Sequence, residues 1–328
     1  MDSVLTRVSI VSLSATLLLA TSEPVGAQAS GEAPTIEEIT VIGRYPGPPL
    51  WKVTSGNRTL WIFGELNPVP KGLDWDPRNA ERVLDRAGGV IGAPRVSAMT
   101  FNPIRLFRLA RAARRLIRLP EDTTLSGLMP AELYARYTTL RARYLPKVED
   151  DDEDMRPALA AMRLYVAALD DTGLEMDSDV GKTIERKLHR SRAEEAEVVV
   201  KTEPEAVLGE LAKITPEAEL ACFASIMTSI ETDLDGMKER ANAWAIGDVE
   251  ALKRFNYPDP QGNCLEALFS APGFVDLRDQ LYSKWLAEAE HALATYDTSF
   301  SVLPMWDLVA GNGLLAQLAA RGYTVIAP

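Results

Sequence analysis

Residues 50–64, LWKVTSGNRTLWIFG, restrict the fold more than any other stretch of the chain. Two apolar runs, one from Leu50 and one from Thr59, flank Ser-Gly-Asn-Arg, a turn sequence built on Gly56 and Asn57. The pattern predicts a β-hairpin. The second run ends at Gly64, and Glu65, Leu66 and Asn67 follow, with prolines at Pro68 and Pro70. Polar groups just past a strand end are favoured places for chemistry, because a rigid strand positions them. Glu65 and Asn67 are therefore the first candidates for a functional site.

Further along, Asp76-Pro77 reads as an N-cap followed by proline at the first helical position, opening a helix to about Ala87. Gly88 to Ala93 reads as a short buried strand. Ile104 to Leu119 reads as an amphipathic helix, with Leu106, Leu109, Ala113, Leu116 and Ile117 on one face. Arg105, Arg108, Arg111, Arg114, Arg115 and Arg118 occupy the other face. A basic helix of this kind can lie on an anionic membrane. The plainer expectation is a helix packed on the core with a solvated basic face, pairing with the acidic run Glu149 to Asp154. That run lacks the spaced ligands of a calcium loop and is expected to be solvated.

Ala196 to Thr202 reads as another strand. Helical sequence dominates from Pro204 to Arg254 and again from Val275 to Leu293. The chain then runs strand, helix, strand: TSFSVLPMW, GLLAQLAARG, YTVIAP, with Gly322 as the helix stop. Strands separated by helices predict an α/β fold. Its sheet core comes from the N-terminal hairpin and the C-terminal strands, and a large helical insertion lies between them.

The N-terminus reads as a leader. Arg7 precedes a 13-residue apolar run, Val8 to Ala20, and a small-x-small site follows at Ala27-Gln28-Ala29. The run is too short to span a bilayer as a helix. The expected organisation is a signal peptide over 1–29, an extended linker over 30–49 and one domain over 50–328, with no transmembrane segment after processing. An exported, periplasmic protein follows. Within the linker, Glu37 to Gly43 (EEITVIG) resembles the short box with which outer-membrane transporters engage TonB, which suggests a TonB-system partner by strand addition. The formal net charge of −12 argues against a nucleic-acid partner, which requires a basic face. The two cysteines, Cys222 and Cys264, read as a disulfide in an exported chain, the alternative being two buried thiols.

The stretch LWKVTSGNRTLWIFGELNPVPKGLDW, the helical ANAWAIGDVEAL and the terminal GLLAQLAARGYTVIAP together resemble the TraB/GumN family, whose members include Tiki-type metalloproteases. The likeness extends from Leu50 to Pro328. It implies a Gly-x-x-His after the first hairpin, a Glu at the end of the next strand, and a second Gly-x-x-His before the C-terminal helix. Such residues at adjacent strand ends hold a divalent metal that generates hydroxide near neutral pH. This chain departs at each place. Gly64-Glu65-Leu66-Asn67 puts Asn67 where the first His belongs, Ala93 stands for the Glu, and Asp307 for the second His, with Pro304 in place of its Gly. The only histidines are His189 and His291, both in helical, polar sequence. Asn is a poor zinc ligand.

No cofactor is therefore expected, and the function expected is non-catalytic, a binding or scaffold role for an unknown protein or small ligand. The alternative is a divergent metal-dependent hydrolase that uses Glu65 and Asp307. The leader is directly testable. Intact mass of protein recovered from the periplasm should correspond to a chain beginning at Ser30; a mass that still includes Met1–Ala29 contradicts export by cleavage.

Overall fold

The computed structural model describes residues 47–146, 152–176, 178–254, 264, 270–309 and 313–328. The leader, the linker as far as residue 46, and the Glu37–Gly43 segment lie outside the described residues.

The hairpin forms as its pattern requires. Strand β1 (Leu50–Ser55) pairs antiparallel with β2 (Arg58–Glu65), Val53 opposite Leu60, across the two-residue turn Gly56-Asn57, where Gly56 has φ +59°. In chain order there follow β3 (Val69–Pro70), α1 (Arg78–Leu84), β4 (Gly89–Ile91), β5 (Arg95–Ser97) and α2 (Pro103–Ile117). The helical insertion holds α3 (Leu125–Leu128), α4 (Ala131–Tyr144), a 3-10 turn at Asp152–Asp154, α5 (Pro157–Asp171), β6 (Leu174–Glu175), α6 (Asp179–Arg190), β7 (Glu194–Ala196) and β8 (Val199–Lys201). It continues with α7 (Pro204–Leu211), α8 (Pro216–Thr232), α9 (Leu234–Ala245), α10 (Val249–Arg254) and α11 (Pro272–Thr295). The chain closes with β9 (Thr298–Pro304), α12 (Met305–Val309), α13 (Leu314–Ala320) and β10 (Thr324–Ile326).

The main sheet has six strands in the order β10-β1-β2-β9-β4-β7. β9 enters between β2 and β4 and runs parallel to both, in a register that places Glu65 beside Pro304 and Ile91 beside Ser301. The C-terminal strand β10 pairs antiparallel with β1 and closes the other edge. Two-stranded pairs form apart from the main sheet, β3 with β6 and β5 with β8. The fold is therefore α/β, with the sheet built from both ends of the domain around a helical insertion. Helix α13 stops where Gly322, at φ +92°, lets the Tyr323 and Gly322 amides turn back to the carbonyls of Leu318 and Ala319.

Two apolar clusters divide the interior. One surrounds the sheet and includes Phe63, Trp244, Trp285 and Phe300. The other fills the helical insertion between α4, α5 and α8, around Tyr137, Leu164, Tyr165 and Phe223. Cys222 on α8 and Cys264 belong to this second cluster and stand at disulfide distance, with their Cα atoms 4.1 Å apart.

The structure corrects four sequence expectations. Helix α1 starts after Pro77, although the Asp76 carboxylate still accepts the Arg78 amide at 3.0 Å. The strand expected over Ala196–Thr202 is split: β7 joins the main sheet, and β8 pairs with β5 outside it. The described part of the acidic run is solvated only in part: Asp154 is exposed and Glu153 half-buried, but Asp152 is not. Asp152 is buried and accepts the Tyr137 hydroxyl at 2.8 Å, Arg141 Nε at 2.9 Å, and Arg163. A buried carboxylate needs such partners, since water no longer solvates it. Glu149 to Asp151 lie outside the described residues. Finally, α2 is not packed into the core. It has no buried residue, and its links are to α7 and to the 3-10 turn, through Arg105 with Glu203 and Glu205, and through Arg118 with Asp154.

Closing a loop with 42 residues of sequence separation should restrict the unfolded chain by roughly 3–4 kcal/mol. Thiol labelling of denatured, unreduced protein should find no free thiol, and reduction should lower the midpoint of chemical denaturation. Two labelled cysteines per chain would show that the pair is reduced.

Candidate functional site

The ends of the parallel strands β2, β9 and β4 lie at one edge of the sheet, and the candidate positions follow directly from them. Asn67 is two residues beyond β2, Ala93 two beyond β4, and Asp307 three beyond β9. The topology thus brings Asn67, Ala93 and Asp307 to one end of the sheet. The side chains there are held in different ways.

Gly64 shows why this end of β2 is so closely packed. A methyl group on it would stand 2.7 Å from Trp51 Cζ3, 2.9 Å from Met305 Sδ and 3.0 Å from Leu308 Cδ1. Its carbonyl accepts the indole N–H of the fully buried Trp244 at 2.7 Å. Trp244 also packs edge-on to Phe63, with ring centroids 5.9 Å apart. Three separate parts of the chain meet here: the hairpin, helix α9 and the segment after β9. The Trp-Ala-Ile-Gly-Asp stretch that carried part of the family resemblance accordingly has a structural role. Trp244 fastens the strand end, and the Asp248 carboxylate caps α10 by accepting the Ala251 amide at 3.0 Å.

Successive side chains of a strand point to opposite faces of its sheet. Trp285 of α11 donates to Ser301 Oγ at 3.2 Å, so α11 covers the face that carries Ser301 and its neighbour Ile62. Gly64 opens to this same face, where it meets Met305 and Leu308 of α12. Asp307 is 2% exposed and is held there: its Oδ1 accepts the Tyr282 hydroxyl of α11 at 3.0 Å, and its carboxyl accepts the Leu314 amide that opens α13. Asp307 thus caps the last helix. Glu65, one residue beyond Gly64, points to the opposite face with Phe63. Its Oε1 lies 2.7 Å from where a Cβ of Gly181 in α6 would stand. The sheet therefore separates Glu65 from Asp307, and the pair is not brought together as a two-carboxylate site.

Both carboxyls are pushed above the usual carboxylate range. For Asp307 the cause is burial, opposed by the bonds from Tyr282 and Leu314. For Glu65 it is again burial, opposed by hydrogen bonding with Asn67 and reinforced by the nearby charge of Glu185. Asn67 is half-buried, and its amide has two orientations: in one it bonds Glu65, and in the other its nitrogen donates to the carbonyls of Leu66 at 3.0 Å and Met176 at 3.1 Å. Ala93 is exposed and offers no donor atom. His189 is exposed in the last turn of α6, beside Glu185 at 3.7 Å, and His291 is exposed on α11. Neither imidazole lies at the end of a sheet strand. Among the described residues no three His, Cys, Asp or Glu side chains group closely enough to hold a metal ion. The residues present at the strand ends do not fit the hydrolytic metal centre that the sequence resemblance implies.

Sequence reasoning missed Tyr282, Gly181 and Glu185. Each is brought to the site from a helix remote in sequence, and none carries a local signal.

The upward shift of Glu65 has a definite sign. Its protonated form is favoured in the fold, so the cost of ionising it grows as pH rises from the unfolded value, about 4.3, and is complete above the folded value. Glu65→Gln removes that cost at every pH. The variant should gain thermal stability over the parent at neutral pH, and the gain should shrink near pH 4. A gain that is independent of pH would show that the carboxyl is not penalised by its surroundings.

Comparison with known proteins agrees with this architecture. No curated protein and no solved structure matches the chain. The model of the TraB/PrgY/gumN family matches residues 49–327, which takes in both ends of the sheet and the whole helical insertion. With that match covering most of its length, the chain belongs to the TraB/PrgY/gumN family.

Proposed function

We propose that this chain is an exported, periplasmic member of its family that has lost hydrolytic metal chemistry and serves as a binding or scaffold protein. The observation that carries the reading is the state of the three strand-end positions. Asn67 has its amide engaged by Glu65 in one orientation and by main-chain carbonyls in the other, Ala93 has no donor atom, and Asp307 is buried as the cap of α13. Zinc requires three or four good ligands at about 2.0–2.3 Å, and these positions supply one carboxylate that already has two partners. The placement of Glu65 and Asp307 on opposite faces of the sheet speaks against the divergent-hydrolase alternative. Export is supported by the leader sequence and by two cysteines at disulfide distance, since such pairs persist in oxidising compartments. Among the described residues no helix is long and apolar enough to cross a membrane.

Calorimetry tests the loss of the metal centre. The parent should bind no zinc, and chelator should leave its melting temperature unchanged, because removal of a structural metal costs several kcal/mol. The triple variant Asn67→His, Ala93→Glu, Asp307→His should bind zinc at micromolar or tighter affinity. Asp307→His also removes the helix cap, at a cost of about 1 kcal/mol. The double variant Asn67→His, Ala93→Glu therefore serves as a folded control, with weaker binding expected. Stoichiometric zinc in the parent, or chelator-sensitive peptide hydrolysis by it, would overturn the proposal.

A further inference from the structure

The outer face of α2 has no role in the site described above. Helix α2 begins at Asn102, whose Oδ1 accepts the amides of Ile104 and Arg105 at 3.0 and 3.2 Å. It is fastened at its two ends. Arg105 pairs with Glu203 and Glu205, and beyond the helix the Leu119 amide donates to Asp154 O at 2.7 Å. Between those anchors, Arg108, Arg111, Arg114 and Arg115 form no ion pair among the described residues. From Pro103 to Leu119 there is no acidic residue, in a chain whose net charge is −12.

At 100° per residue these four arginines fall within an arc of about 120°. Ile104 and Phe107 fall inside the same arc, and Phe101 precedes the helix. Phe101 is 89% exposed, Phe107 71% and Ile104 65%. Leu109, Ala113 and Leu116, on the other side, are half-buried against the rest of the molecule. The outward face is thus a mixture of guanidinium groups without carboxylate partners among the described residues and exposed aromatic and aliphatic side chains. It is borne on a convex helix about 22 Å long.

We propose that α2 docks the protein onto an anionic phospholipid surface. Three features select that occupant. The charge is complementary to phosphate headgroups, and guanidinium binds phosphate in a forked, bidentate way. The exposed phenyl and isoleucine side chains provide the apolar insertion that a polyanion in solution would not use. A single exposed helix face that mixes guanidinium groups with phenyl and isoleucine side chains suits the headgroup and acyl boundary of a bilayer. The acidic remainder of the chain is repelled from the same surface, which sets the orientation with α2 inward.

Co-sedimentation of the full chain with vesicles provides the test. Partition should be strong on phosphatidylcholine–phosphatidylglycerol vesicles, weak on phosphatidylcholine alone, and reduced by high salt. Reversing charge in Arg111→Glu/Arg114→Glu/Arg115→Glu should lower partition by at least on the order of a hundredfold, from about fivefold for each arginine lost and further repulsion from each glutamate gained. Phe101→Ser/Phe107→Ser should lower it at least several-fold at unchanged net charge. All five positions are exposed, so both variants should keep the parent's circular dichroism and melting curve. Every variant retains the apolar run Val8 to Ala20, so the difference from the parent isolates α2. The proposal fails if either variant partitions like the parent, or if partition ignores phosphatidylglycerol. It also fails if the arginines instead drive self-association measured by sedimentation velocity without vesicle binding, which would make a second copy the occupant.

Discussion

The hydrogen bond from the Trp244 indole to the Gly64 carbonyl is the contact on which the domain's arrangement turns. β2 is flanked by β1 on one side and by β9 on the other, and its pairing with β9 is the longest parallel register in the sheet. At its end the main-chain carbonyl has left the ladder and is buried. An unpartnered buried carbonyl costs on the order of 1–3 kcal/mol. The indole supplies the partner and adds a large apolar surface against Phe63 and Trp75. On the other side of the strand, the missing side chain of Gly64 admits Trp51, Met305 and Leu308 to near contact. An alanine here would overpack the site, which in well-packed cores costs about 1–3 kcal/mol. The insertion and the C-terminal segment are thereby fixed to the same few atoms of the hairpin.

That packing governs what the strand ends can do. The segment after β9 is drawn under the sheet by Met305 and Leu308, and Asp307 goes with it into contact with Tyr282. An acid buried in this way with a phenol and a helix amide is a structural group, because its lone pairs are committed. Glu65, on the alternate side of the strand, faces α6 and the charge of Glu185. The two acids experience the same force, desolvation, in separate environments. Charge in this molecule is placed with similar economy elsewhere: Asp152 is buried among Tyr137, Arg141 and Arg163, and so ties the acidic run to α4 and α5. The arginines along the middle of α2 contrast with this, since they face outward as a group without carboxylate partners among the described residues.

The elements that read clearly from sequence are those whose signal is local. The hairpin is set by the alternation of Leu50–Thr54 and Thr59–Gly64 around Gly56-Asn57. The end of α13 is set by Gly322, and the family by residues distributed from the hairpin to the last strand. Asn67, Ala93 and Asp307, which the sequence resemblance singles out, each follow a strand of the parallel part of the sheet.

Tertiary structure alone decided the rest, because it depends on contacts between residues far apart in the chain. Residues 196–202 have the composition of one strand, yet the sheet edge accepts only β7, and β8 finds β5 instead. The amphipathic pattern of α2 resembles that of a core helix, but its apolar side is only half-buried and none of its residues reaches the core. The acidic run has the composition of a solvated segment, and it is the guanidinium groups of Arg141 and Arg163 that make burial of Asp152 tolerable. Above all, sequence determined that Glu65 and Asp307 both follow strands; the alternation of side chains across the sheet, fixed by the closeness of Gly64 to Met305 and Leu308, decided that they face apart.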